Sequence, residues 1–271
     1  MKLYLALALS GLLACGASKT STLPQKVVSV STIAESEIDV REVAADSFVL
    51  TDRAFYDSNV LVVRMPDGTV VFCSSSFETV GTSHMIAWAR RALQPTKMIA
   101  INTHFHFDGS GGNEAYRNAG VTTYSTNLTK ALLLERGPGM QKRTSVELGG
   151  SKGRRVGAMT LIPADNTFDE QTGLTLTFGA EQVRIVYPGP GHSVDNLIVH
   201  FPARKLLFGG CMIRAQRSIG YTGDANLEHW SHAVETAQAL APQIVVPGHG
   251  QVGGAELFAV TLDAISDTKK K

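Results

Sequence analysis

Short apolar runs recur along this chain, and several end in a glycine-rich turn that carries a histidine, an aspartate or a cysteine. KMIAINTH (97–104) runs into FHFDGSGGN, VRIVYP (183–188) into GPGHSVDN, KLLFGGC (205–211) ends on Cys211, and QIVVPGHG (243–250) turns at His249. Apolar runs of this length, bounded by Gly and Pro, read as buried strands. NVLVVRM (59–65) and TVVFCSS (69–75) flank Pro66-Asp67-Gly68, a hairpin signal, and TLTF (175–178) and NLIVHFP (196–202) are further strand candidates. One helix face is spaced through Ile86, Ala89 and Leu93 within 79–93, and helices are expected over 225–240 and 254–267. Strands in groups with helices between them imply a layered α/β domain whose sheets are covered by helices. No boundary interrupts the pattern, so a single domain over 38–267 is expected, with the Gly-, Lys- and Arg-rich stretch 136–160 a long exposed segment containing some helix.

The first residues have a separate job. LYLALALSGLLA is too short to span a membrane but suits the core of a signal peptide, giving a leader over 1–20. It ends in Leu12-Leu13-Ala14-Cys15-Gly16, which resembles a bacterial lipobox, so Cys15 is expected to carry lipid and to attach the protein to the outer membrane on its periplasmic side. Simple cleavage after Ala17 would instead leave a soluble periplasmic protein. Residues 21–37, rich in Ser, Thr and Glu, read as a tether.

A formal net charge of +1 gives no broad attraction to nucleic acid and points to a small-molecule partner. Export makes the cysteines informative, because an oxidising compartment favours pairing. Besides Cys15 there are only Cys73 and Cys211, which could pair or stay free. A free thiol there calls for metal ligation or deep burial.

His104, His106 and Asp108 stand at alternate positions where a strand gives way to a turn, so their side chains can converge. Gly109, Gly111 and Gly112 leave room for close backbone approach. Imidazole and carboxylate together suit zinc. His192, Cys211 and His249 share the same setting of strand end and glycine turn. Singly, each has a plain reading: a satisfied turn residue for either histidine, a small buried hydrophobe for Cys211. Together with the first motif they imply a zinc centre. His84, His200, His229 and His232 lack that setting and read as surface or helix residues.

The set His104-x-His106-x-Asp108, His192, Cys211 and His249 resembles the metallo-β-lactamases, specifically subclass B1, over roughly residues 40–265. TDRAFYDSNVLVVRMPDGTVV, INTHFHFDGSGGNEAY, GGCMI and GYTGDAN are similar to the São Paulo-type branch of that subclass. Other branches usually carry a histidine directly after the aspartate, where this chain has Gly109. The resemblance implies a four-layer αββα sandwich with two zinc ions, the first held by His104, His106 and His192 and the second by Asp108, Cys211 and His249. It implies an enzyme that hydrolyses the amide of penicillins, cephalosporins and carbapenems, and so confers antibiotic resistance; a monomer is expected. Zinc lowers the pKa of bound water to roughly 7, so hydroxide can attack without a covalent enzyme intermediate, and Asp108 would orient it. A non-catalytic zinc lipoprotein is the competing reading; open three-ligand half-sites argue against it, since structural zinc is normally closed by four protein ligands.

This chain departs from the subclass pattern on the substrate side. Arg214 stands where many members have a lysine for the substrate carboxylate, with Arg217 as the alternative, and Tyr221 replaces an asparagine. Ser74 replaces a buried aspartate near the second zinc. Phe55 and Tyr56 fall in a loop that flanks the cleft in relatives, although core packing would explain them equally well.

Overall fold

The structure is a computed structural model that describes residues 30–270; the leader, Cys15 and the first part of the tether lie outside the described residues. The first sheet contains β1 (Val30–Thr32), β2 (Ile38–Ala44), β3 (Ser47–Asp52), β4 (Ser58–Arg64), β5 (Thr69–Cys73), β6 (Lys97–Ile101), β7 (Thr122–Thr126) and β8 (Asn166–Phe168), in that spatial order. It is antiparallel from β1 to β5 and parallel from β5 to β8. The second contains β9 (Leu174–Phe178), β10 (Glu181–Val186), β11 (Ile198–Phe201), β12 (Leu206–Gly210) and β13 (Ile244–Pro247), ordered β13-β12-β11-β10-β9. Only its β12/β13 pair is parallel.

Sequence alternation sets the layers. Along β4, Leu61 and Val63 enter the core between the sheets, while Val60 and Val62 face the opposite side. There they meet α1 (Thr79–Leu93), through Met85, Ile86, Ala89 and Leu93, and a short helix after β6 through Ala115 and Tyr116. Two short helices follow β6: α2 (Phe107–Ser110) and α3 (Asn113–Asn118). On the outer face of the second sheet lie two further helices, Leu227–Gln238 and Glu256–Lys269, with Trp230, Val234, Phe258 and Ile265 buried. The result is the αββα sandwich that the resemblance implied. The α4 (Asn127–Leu148) and α5 (Gly150–Gly157) pair lies outside this layering, and we number the two outer helices α6 and α7.

Two boundaries differ from expectation. The tether stops short of residue 37: Val30–Thr32 pairs with Asp39–Arg41, and Ile33 is buried against the α1 layer, so apolar burial outweighs the polar composition of the segment. Residues 136–160 are exposed along much of their length, as expected, but they are almost wholly helical rather than only partly so. Leu132, Leu133, Met140, Val156 and Met159 are spread thinly, but they close onto Phe105 and Phe107 in a small cluster of their own.

Candidate metal centre

All six donors sit at strand ends on one edge of the sandwich. His104, His106 and Asp108 follow β6, His192 lies between β10 and β11, Cys211 follows β12, and His249 follows β13. The turn after β6 is locked by a reciprocal amide pair, Asn102 Nδ2 to Asn113 Oδ1 at 2.9 Å and Asn113 Nδ2 to Asn102 Oδ1 at 2.8 Å. A Cβ at Gly109 would collide with the His104 carbonyl and imidazole, and one at Gly248 with the Cys211 backbone and sulfur. Both glycines are therefore required by close approach.

Asp108 is the hub. Its Oδ1 lies 3.3 Å from His104 Nε2, and its Oδ2 is 2.7 Å from Cys211 Sγ and 2.9 Å from His249 Nε2. On the other side, His106 Nδ1 stands 3.1 Å from His192 Nε2. Three overlapping groups, each with donor atoms within 4.8 Å of one another, cover the six residues: His104-His106-Asp108, His104-His192-Cys211 and Asp108-Cys211-His249. The first and third of these share Asp108.

The neighbours of the rings fix their tautomers. His249 Nδ1 is 2.9 Å from the Tyr56 carbonyl, which only accepts, so Nδ1 carries the hydrogen. In the neutral ring, Nε2 then presents a lone pair to the Asp108 carboxylate. Likewise His106 Nε2 donates to Asp224 Oδ2 at 3.0 Å, leaving Nδ1 as a lone pair facing His192. His106 Nδ1 and His249 Nε2 are thus the nitrogens free to ligate a metal at the centre. His104 Nε2 is buried there without a well-aligned hydrogen-bond partner. The residues fit a divalent metal, and imidazole, carboxylate and thiol together suit zinc.

Without a cation, hydrogens take its place between the donors: burial opposes charge on His104, but Asp108 outweighs it and raises the pKa of that ring. Burial lowers His192, and the facing His106 and His104 lower it further, so this imidazole stays a neutral base. Burial opposes charge on Asp108, yet His104 and His249 outweigh it and hold the carboxylate well below its usual range. Burial, then Asp108, pushes the Cys211 thiol well up. Only a bound cation would make that thiol a thiolate. Cys211 and Cys73 are both free, Cys73 being sealed between the sheets.

The centre opens into a cleft of about 570 Å³ whose walls include Tyr56, Arg214 and Tyr221. Arg214 Nε bonds the Ser218 carbonyl at 2.9 Å. Arg217 instead reaches α7, where it pairs with Asp263 and Asp267 at 3.0 and 2.8 Å, so it is no rival for the cleft. The Tyr221 ring packs edge-on against His106 at 5.8 Å. Phe55 is a correction: only 1% exposed, it stacks on Phe77 in the α4–α5 cluster and takes no part in the cleft wall. Burial of its ring wins, and the turn throws Tyr56 outward to 60% exposure. Ser74 shares a 2.7 Å hydrogen bond with Thr103, next to His104, and accepts the Tyr116 hydroxyl on its carbonyl. Asp224 was not singled out from the sequence. GYTGDAN contains it, but no spacing there marks a carboxylate whose partner lies 118 residues away.

The sequence model of the Metallo-beta-lactamase superfamily matches residues 55–249, which include all six donors. The chain belongs to that superfamily. It is 29% identical over 237 residues to the metallo-beta-lactamase type 2 of Bacillus sp. (strain 170), covering 84% of this chain and 82% of that one. Against the metallo-beta-lactamase type 2 of Bacillus cereus it is 28% identical over 253 residues, 90% of this chain and 88% of the relative. Among solved structures, the metallo-β-lactamase of Hirschia baltica is 31% identical, with a TM-score of 0.69 over 84% of this chain and 97% of that one.

Proposed function

We propose that this protein is a subclass B1, zinc-dependent β-lactamase, similar to the São Paulo-type branch, that opens the ring of penicillins, cephalosporins and carbapenems. The observation that carries the reading is the convergence of six donors on a shared Asp108 at the floor of an open cleft. Two ions fit the set: Asp108, Cys211 and His249, one of the converging groups, would hold one, and His104, His106 and His192, grouped by the resemblance and with His106 and His192 3.1 Å apart, would hold the other. When bound, the zinc ions supply an activated water and polarise the carbonyl.

The chain's own residues do the positioning. Arg214 offers a guanidinium fork for the carboxylate beside the ring nitrogen. Tyr221 closes the wall beside His106, and Tyr56 stands at the mouth. The Asp108 carboxylate, ionised at neutral pH, orients the attacking water by accepting its hydrogen bond. The carbonyl carbon gains the water oxygen, the carbon–nitrogen bond breaks, and the ring nitrogen leaves with a proton. No serine nucleophile is required.

Purified protein should hydrolyse a chromogenic cephalosporin, lose that activity in excess chelator and regain it with added zinc. Activity unchanged after thorough zinc removal would sink the proposal. Export completes it: acting as a monomer, the mature protein begins at a lipidated Cys15 in the periplasm, anchored to the outer membrane. Intact mass should show the lipid, and Cys15→Ala should stall processing or release a soluble form. An unmodified Ser18 N-terminus would show the simpler cleavage instead.

A further inference from the structure

The α4 helix touches the centre through polar contacts. Arg136 Nη1 donates to Asp224 Oδ1 at 3.0 Å, and Asp224 Oδ2 accepts from His106 Nε2 at 3.0 Å. Asp224 thus links the helix to the ligand, and the Tyr221 hydroxyl is a further hydrogen-bond partner of the same carboxylate. The Asp224 side chain is only 14% exposed. One helical face supplies a second contact, since Arg143 lies over the Tyr221 ring at 5.4 Å. Asp224 itself sits in an irregular segment between β12 and α6, so no ladder of backbone bonds fixes its position.

We propose that Arg136 is a positioning residue for the first metal half-site: by pinning Asp224 it fixes the ring of His106 with Nδ1 aimed at His192 and the ion. This rests on the zinc-centre reading above. Ligating imidazoles depend on the partner of their other nitrogen, and losing such a partner costs 10–100-fold in metal affinity. Arg136 stands one residue further out, so its effect is smaller. Two influences compete. Its positive charge draws electron density from Asp224 and would weaken the ligand, but the guanidinium is 45% exposed, so water screens that effect. Fixing the orientation of the ring is a geometric effect that solvent does not screen. Removing Arg136 therefore weakens metal binding.

The test is a cobalt(II) titration of apoprotein, read in two bands. The near-ultraviolet thiolate band reports Cys211 and hence the second half-site; the visible ligand-field intensity that rises without it reports the first. Arg136→Ala should weaken the first half-site by about 3–10-fold, below the range for a direct partner, and leave the thiolate band where it was. Arg136→Gln, which keeps a donor without the charge, should recover most of the loss. In an Asp224→Ala background, Arg136→Ala should add nothing, because its only route to the ring is gone. Arg143→Ala, which removes contacts to Tyr221 and Glu147 but keeps the Arg136–Asp224–His106 chain, should leave both half-sites unchanged. Unchanged affinity in Arg136→Ala, equal weakening of both bands, or full additivity with Asp224→Ala would each overturn the proposal. No cobalt binding by the wild type would overturn the zinc centre instead.

Discussion

Cys211 and Cys73 have the same chemistry and opposite fates. Cys73 lies between the sheets with no polar partner, and burial alone pushes its thiol well up. Cys211, also buried, meets Asp108 at 2.7 Å beneath the floor of the cleft. In a Cys15→Ala protein, a thiol reagent should therefore find nothing in the zinc form, Cys211 alone after chelation, and Cys73 only on unfolding. A Cys73–Cys211 disulfide in active protein would contradict both the structure and the ligand assignment. Arg214 carries a second expectation. Arg214→Ala removes a contact made to substrate and transition state alike, so KM should rise with a smaller change in kcat. The cost should be about 1.5 kcal/mol, the lower end for a charged hydrogen bond, because the cleft is open to water. With Arg217 held by α7, Arg217→Ala should leave KM unchanged. The six donors were legible in the sequence because they stand in glycine-rich turns at strand ends, three of them in the one turn after β6. Asp224, Arg136 and the burial of Phe55 were not, since their roles arise only from residues brought together by the fold.

At the scale of elements, the loop from β6 into α2 shows how little freedom the centre has. Gly109 lies against the carbonyl and ring of His104, so Gly109→Ala must push a ligand aside. Such overpacking costs about 1–3 kcal/mol, and metal affinity should fall with it; wild-type cobalt affinity in that variant would show that the loop yields. The end of β3 supplies a pH test. Asp52 accepts hydrogen bonds from Ser76 and from the Ala54 amide, yet burial raises its pKa in the fold. A raised carboxylate favours the protonated folded form, so its stabilising contribution is present at low pH and is lost as pH rises through the folded pKa. Asp52→Asn should therefore match or exceed wild-type stability at neutral pH, by up to about 1 kcal/mol, with the gap closing as acid protonates Asp52. Denaturant unfolding of chelated protein at both pH values measures it, and a variant markedly weaker at neutral pH would refute it. The hairpin, α1 and the strands leading into the donors were readable from periodicity. The α4–α5 pair was not, because Pro138 and scattered glycines mask a helix whose apolar face is thin and whose polar contacts lie elsewhere.

Across the whole molecule, the donors come from both sheets. His104, His106 and Asp108 leave the first, while His192, Cys211 and His249 leave the second. Protein contacts already bind the two edges: Asn59 on β4 donates to the carbonyls of Pro247 and Gly250 at 2.9 and 2.8 Å. Shared ions would fasten the sheets again at the same edge, because each proposed three-ligand set draws on both sheets. Anything that binds the folded state alone stabilises it by RT ln(1 + [L]/Kd), which is about 4 kcal/mol at a thousandfold excess over Kd. The melting temperature should accordingly climb with the logarithm of free zinc and fall on chelation, while the far-ultraviolet spectrum of the chelated protein stays that of a folded sandwich, because the three apolar cores need no metal. His249→Ala, which removes one ligand from the second sheet, should flatten that dependence without abolishing it, since the proposed half-site of His104, His106 and His192 would still join the two sheets. A melting temperature indifferent to zinc in the wild type would mean that the ions do not bridge the sandwich.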